Sequence, residues 1–186
     1  DRESWELGTG ASEGGAGVAI AAAAAKHIKD RPQRPDRTIR VSAFANEEMG
    51  LWGGRAYADA HGKDVAKFQL GTESDFGAGR IWRMTASVKP EARGAIEQIA
   101  KLLEPIGVAY DASKPGGGGS DLSQMHAKGM AALSLTQDGT DYFDYHHNAN
   151  DTLDKIDPPA PAQNVAVYAT FAYLAAQADG NSGSAP

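Results

Sequence analysis

The sequence predicts an α/β domain, a three-layer α/β/α sandwich with a largely parallel mixed sheet. Two observations carry that expectation. Short β-branched runs alternate with longer segments of helical period, and each suspicious polar cluster follows the end of a predicted strand. At 186 residues and 41% hydrophobic, the chain is long enough for one domain with a sizeable core and short for two. Residues 1–178 are expected to form that domain, and residues 179–186 (DGNSGSAP) a disordered tail.

Gly14 to Gly17 is too glycine-rich to start a helix firmly. Val18 to Lys29 reads as a helix, alanine-dense enough to sit close against a sheet and ended near Arg31-Pro32. Thr38 to Ala45 (TIRVSAFA) is β-branched and apolar, the composition of a short buried strand. Gly50 to His61 then reads as helix, Phe68 to Glu73 and Arg80 to Val88 as strands. Pro90 to Leu103 carries Ile96, Ile99, Leu102 and Leu103 at helical spacing behind an initial proline. After a Gly116–Gly119 loop come a short helix over Ser120 to Lys128, capped by Ser120 or Asp121, a strand over Met130 to Thr136, and a final helix over Ala162 to Ala178. No internal repeat is visible.

The formal charge of −6 argues against a nucleic-acid partner, because phosphate binding needs surplus Lys and Arg. The basic run from Lys26 to Arg40 is interrupted by Asp30 and Asp36 and reads as a solvated helix end and loop. With no cysteine there is neither a disulfide nor a thiolate metal site, so any metal must be held by His and carboxylates. The longest apolar stretch, Val18 to Ala25, is far below the ~20 residues a membrane span needs. No signal peptide is visible.

Three clusters could do chemistry. Asn46-Glu47-Glu48 follows the strand expected to end at Ala45. Adjacent carboxylates there can divide labour, one binding a cation while the other takes a proton from water; alone, the pair also suits the acidic start of a helix. Glu73-Ser74-Asp75 follows another strand, where an Asp is often a turn former. Tyr145-His146-His147 leads into Asn148-Ala149-Asn150-Asp151-Thr152. Tandem histidines cannot both point one way, so at most one is a direct ligand, and Asp151-Thr152 can supply hydrogen bonds that fix the loop. Together, two carboxylate clusters and an imidazole at strand-end loops make the ligand set of a hydrolytic zinc site.

On the residues SWELGTGASEGGAGVAI, RTIRVSAFANEEMGLWGGRAYADAH, TESDFGA, GGGGSDLSQM and TQDGTDYFDYHHNANDTLDKID, the chain resembles the co-catalytic zinc exopeptidases of the aminopeptidase Y and carboxypeptidase Q family. The matching runs cover nearly the whole chain in order, and the carboxypeptidase Q type fits best. The resemblance implies hydrolysis of terminal peptide bonds of peptides or dipeptides by a metal-activated water. It implies Glu47 as general base, Glu48 and His147 as ligands of one Zn2+, and Asp75 as a ligand of a second. By the same resemblance the loops around Ser120, Asp121, Tyr142 and Tyr145 line the peptide cleft, and the protein works outside the cytoplasm.

The amino end departs from the family pattern. Where the family has His-x-Asp before Ser-Trp, this chain has Asp1 and Glu3. Where it has a bridging Asp-Asp pair before an unusual backbone turn, this chain has Glu13-Gly14. Glu13 can still bridge two ions and Asp1 can still ligate. A site made of Asp75, Glu13 and Asp1 is all oxygen, however, and is expected to hold zinc more weakly than one with an imidazole. The strands that the family places ahead of this point are not in the chain, so an exposed sheet edge is expected, covered by a complementary chain or by homo-oligomerisation. Two rival functions follow from these departures: a metal-poor homologue serving as a binding module, and glutaminyl-cyclase-like transfer at one zinc.

Overall fold

The computed structural model describes residues 8–183. Along the chain run α1 (Ala16–Lys29), α2 (Trp52–His61), β1 (Ile81–Ser87), α3 (Arg93–Leu103), β2 (Ala109–Tyr110), α4 (Ser123–Ala127), β3 (Ala132–Gln137), α5 (Tyr142–Tyr145) and α6 (Pro159–Gln177). The sheet order is β2-β1-β3. β1 runs parallel to β2, with Met84 opposite Tyr110, and antiparallel to β3, with Met84 opposite Leu135. The sheet is mixed, as expected. Its longest ladder is the antiparallel one, a direction that side-chain composition does not encode.

One core joins the sheet to three helices. Ile81, Met84, Leu133 and Leu135 pack with Ile20 and Ala24 of α1, Ile96, Ile99 and Leu103 of α3, and Val167 and Phe171 of α6. The alanine face of α1 lies against α6, the close approach that small side chains permit. On α3 the buried stripe is Ile96, Ile99, Ala100 and Leu103, while Leu102 faces solvent at 59% exposure, because it falls outside the arc that this stripe covers at 3.6 residues per turn. A smaller cluster of Ala58, Met125 and Met130 joins α2 to α4. Two buried amides of α6 pin the start of β1: Ile81 N–H donates to Gln163 Oε1 and Asn164 Oδ1, each at 3.0 Å, and Gln163 Nε2 donates to the Ile81 carbonyl at 2.8 Å.

Three expectations need correction. Thr38 to Ala45 has the composition of a buried strand, yet it joins no ladder among the described residues, and Val41 is 44% exposed. Among the described residues, Phe68 to Glu73 reaches the sheet through a single parallel bridge, Gly71 with Ala132. In both segments strand propensity is present and a neighbouring strand on at least one side is not; β structure needs both. At the other end, Gly180 to Gly183 of the expected tail are held in place. The Lys89 N–H donates to the Ser182 carbonyl at 3.0 Å, Asn181 Nδ2 to the Ala66 carbonyl at 3.0 Å, and Arg37 to the Gly180 carbonyl at 2.6 Å. Composition alone misses this because the partners are far away in sequence.

Candidate metal centre

Four loops converge beside the amino end of α1. The first is the irregular turn Ala11–Gly15, in which Gly14 has φ 72° and every described peptide bond is trans. It places Glu13 just ahead of α1. The turn is held by Asp151, a 3% exposed carboxylate that accepts the Ser12 N–H at 2.6 Å and the Glu13 N–H at 2.9 Å. Thr9 adds a hydroxyl bond to the Asp151 carbonyl. Asp151, a few residues past the tandem histidines, thus fixes the loop that carries Glu13.

The second loop carries Glu47 and Glu48, and Asn46 ahead of them has φ 57°, in the left-handed region. The third carries His146 and His147, with His147 itself at φ 56°. Side chains pay for that conformation unless their surroundings impose it, and such positions gather at functional sites. His147 Nε2 lies 2.7 Å from Glu48 Oε1. The His146 ring stacks on His147 at 3.7 Å and packs against Tyr142 at 5.0 Å. The fourth loop carries Asp75. It meets α1 closely, because a side chain on Gly17 would place its Cβ 1.8 Å from the Ser74 carbonyl oxygen; only glycine allows that contact.

Ligand atoms of Glu13, Glu48 and His147 all lie within 4.8 Å of one another. Two carboxylates and an imidazole at such spacing form a donor set suited to zinc. The electrostatics agree. Burial, then the charges of Asp75 and Glu48, pushes the Glu13 carboxyl up to about 7. Asp75 is raised by burial and then by Glu48. Carboxylates crowded in this way repel one another, and a cation at their centre relieves that repulsion.

Glu47 sits beside the cluster, half-buried. Burial, Asp75, Glu48 and Asp121 raise its carboxyl, and a hydrogen bond from the Ser120 hydroxyl works the other way. A carboxylate moved toward neutrality is a better proton acceptor at neutral pH than an ordinary one. Asp1 and Glu3 lie outside the described residues.

The residues expected around the peptide are placed in three ways. Ser120 is exposed and bonded to Glu47. Tyr145 is half-buried on α5. Tyr142 is buried at 7% exposure under Phe76 and His146, and its phenol is pushed well above the usual range by burial and then by Glu13. Asp121 is 6% exposed and packs against Gly54 in the first turn of α2, where a Cβ would lie 2.4 Å from the Asp121 carbonyl oxygen and 2.9 Å from its Oδ1; burial raises its carboxyl.

Sequence reasoning assigned no role to Glu73. Its Oε2 accepts the Leu122 N–H at 3.1 Å, its carbonyl accepts the Tyr168 hydroxyl at 2.6 Å, and burial pushes its carboxyl up to about 7 against the pull of the Leu122 amide. The available signal was its spacing to Asp75, which on an extended segment puts both carboxylates on one side.

A mixed α/β fold with a carboxylate–imidazole cluster at its loops is the class of domain that can hold a metal ion at its loop end. The comparisons narrow this. Residues 2–172 match Peptidase family M28, and the chain belongs to that family. It is 34% identical over 176 residues to Carboxypeptidase Q of Xenopus laevis and 32% identical over 174 residues to that of Homo sapiens, in each case over 94% of this chain. It spans 37% and 36% of the length of those relatives. Among solved structures, the Peptidase M28 precursor of Shewanella amazonensis superposes with a TM-score of 0.93 at 51% identity, over 98% of this chain and 41% of that one. LapA of Legionella, at 21% identity and a TM-score of 0.66 over 91% of this chain and 49% of that one, shares the fold.

Proposed function

We propose that this chain carries the metal-binding and catalytic part of a zinc-dependent exopeptidase that hydrolyses terminal peptide bonds of peptides or dipeptides. One observation carries the reading: Glu13, Glu48 and His147 converge within 4.8 Å beside Glu47, which is not one of the three. Membership of family M28 and the likeness to Carboxypeptidase Q support it.

Glu48 and His147 would hold one zinc ion, Asp75 a second, and Glu13 would be shared between them. Bound zinc supplies Lewis acidity, which polarises a carbonyl and acidifies water. Glu47 acts as general base: it takes the proton of the attacking water on its carboxylate and can return it to the leaving amine. Ser120 orients Glu47 through its hydroxyl. Asp151 keeps Glu13 pointed at the site by holding two amides of its turn. Tyr142 backs the histidine loop, and the exposed faces of Ser120 and Tyr145 border the space left for peptide.

The second ion should bind more weakly than the first, since its own ligands are all oxygen. No helix among the described residues is long and apolar enough to cross a membrane, and an extracytoplasmic site of action belongs to the same proposal. So does a complementary chain or second copy along the unpaired Thr38–Ala45 edge, which the mass of the protein in solution would reveal. The test of the central reading is zinc content and dipeptide hydrolysis measured together on one preparation. Zinc uptake with hydrolysis is expected; failure to take up zinc from a zinc-replete buffer would instead favour a metal-poor binding module.

A further inference from the structure

We propose that Glu73 is a positioning residue: it anchors the Gly116–Leu122 loop so that Ser120 reaches Glu47. The inference rests on the proposed role of Glu47 and deepens it. Glu73 is fixed from behind by α6, where the Tyr168 hydroxyl donates to its carbonyl at 2.6 Å. From that fixed point its side chain reaches across to the loop and accepts the Leu122 N–H at 3.1 Å, with the Asp121 amide as a second donor.

The loop is shaped to fit this carboxylate. Gly119 has φ 130°, and a Cβ there would lie 2.4 Å from Glu73 Cβ and 2.5 Å from Glu73 Oε2. Only a residue without a side chain lets the loop lie flat on Glu73. The next residue is Ser120, whose hydroxyl meets Glu47, and the one after is Asp121, against which Gly54 of α2 packs so closely that a Cβ there would lie 2.4 Å from the Asp121 carbonyl oxygen. The loop is thus clamped on two sides. Glu73 ties it to the segment that bears Asp75, and Asp121 packs it against the helix that follows Glu48. Ser120 sits between the two clamps, so its hydroxyl position is set by both.

Misplacing a catalytic group by about 1 Å can cost on the order of 100-fold in rate. Glu73→Ala is therefore expected to lower kcat by roughly 10- to 100-fold, with KM and zinc content little changed. Glu73→Gln keeps an acceptor for the Leu122 amide and should restore most of the rate. In a Ser120→Ala background, Glu73→Ala should add no further loss, because Glu73 works through Ser120. Independently of activity, Glu73→Ala should speed hydrogen exchange at the Leu122 amide, and Glu73→Gln should not. If Glu73→Ala fails to fold, Glu73→Met fills the same space without accepting a hydrogen bond and takes its place in every arm. Losses that simply add in the double variant, or an unchanged Leu122 exchange rate, would overturn the proposal. A wild-type chain that hydrolyses no peptide would defeat the functional reading, and the exchange measurement would still decide the role of Glu73.

Discussion

The two sides of the Phe68–Asp75 segment are built from the same backbone and end in opposite states. On one side Gly71 is tied into the sheet: its N–H donates to the Ala131 carbonyl at 3.0 Å, and its carbonyl accepts the Leu133 N–H at 2.9 Å. On the other side lies a cavity of about 1350 Å³, and across it runs Thr38 to Asn46, extended and unpaired among the described residues. Yet both segments deliver their chemistry. Asp75 leaves the paired side and Glu48 the unpaired one, and their charges raise the same Glu13 carboxyl. The loops of the candidate site keep their geometry through local anchors such as Asp151 and Glu73, so gathering the site and completing the sheet are separable problems.

The largest effect is expected at the centre of the site. Glu47→Gln should lower turnover by roughly 10²–10⁴-fold and leave bound zinc unchanged; equal loss of zinc would make Glu47 a ligand and merge the two roles that the geometry keeps apart. Next, His147→Ala should weaken zinc by more than the ~10–100-fold typical of a lost supporting contact, while His146→Ala should not, since only His147 faces Glu48. Calorimetric titration of both variants checks this, and the reverse outcome would move the ligand by one residue.

Asp151→Ala should cost roughly 2–4 kcal/mol of stability, from two buried charge-assisted hydrogen bonds, and should weaken zinc as well, because the Glu13 turn loses its anchor. A denaturant melt with and without zinc separates the two contributions. The smallest effects sharpen the contrast across the cavity. Leu133→Ala, on the paired side at 1% exposure, should cost about 2–5 kcal/mol. Val41→Ser, on the unpaired side, should change stability by less than about 0.5 kcal/mol. A large loss at Val41 would mean that the edge is covered in solution, which is what a complementary chain or a second copy would do.

Much of this was legible in the residues. The helices announce themselves by period, and α1, α3 and α6 fall within a few residues of where alanine density, the Ile96–Ile99–Leu103 spacing and the flanking prolines put them. The pairing of Asn46-Glu47-Glu48 with His146-His147 was legible through the family resemblance, and the structure brings Glu48 and His147 to 2.7 Å. The anchoring of Gly119 and Leu122 on Glu73 was not. These partners are 46 and 49 positions apart in sequence, and nothing in a glycine run says which carboxylate it will lie on.

By itself, then, the sequence determined which segments bend into helices and which residue types are available to hold a metal, because these depend on side-chain chemistry and on spacing within one or two turns. Only the tertiary structure decided whether a β-prone segment becomes a strand, and which backbone amides a buried carboxylate will hold. Those outcomes depend on a partner across space: Thr38 to Ala45 has the composition of a strand and no neighbour in a ladder among the described residues, while Glu73, with no strong local signature, has a neighbour on each side.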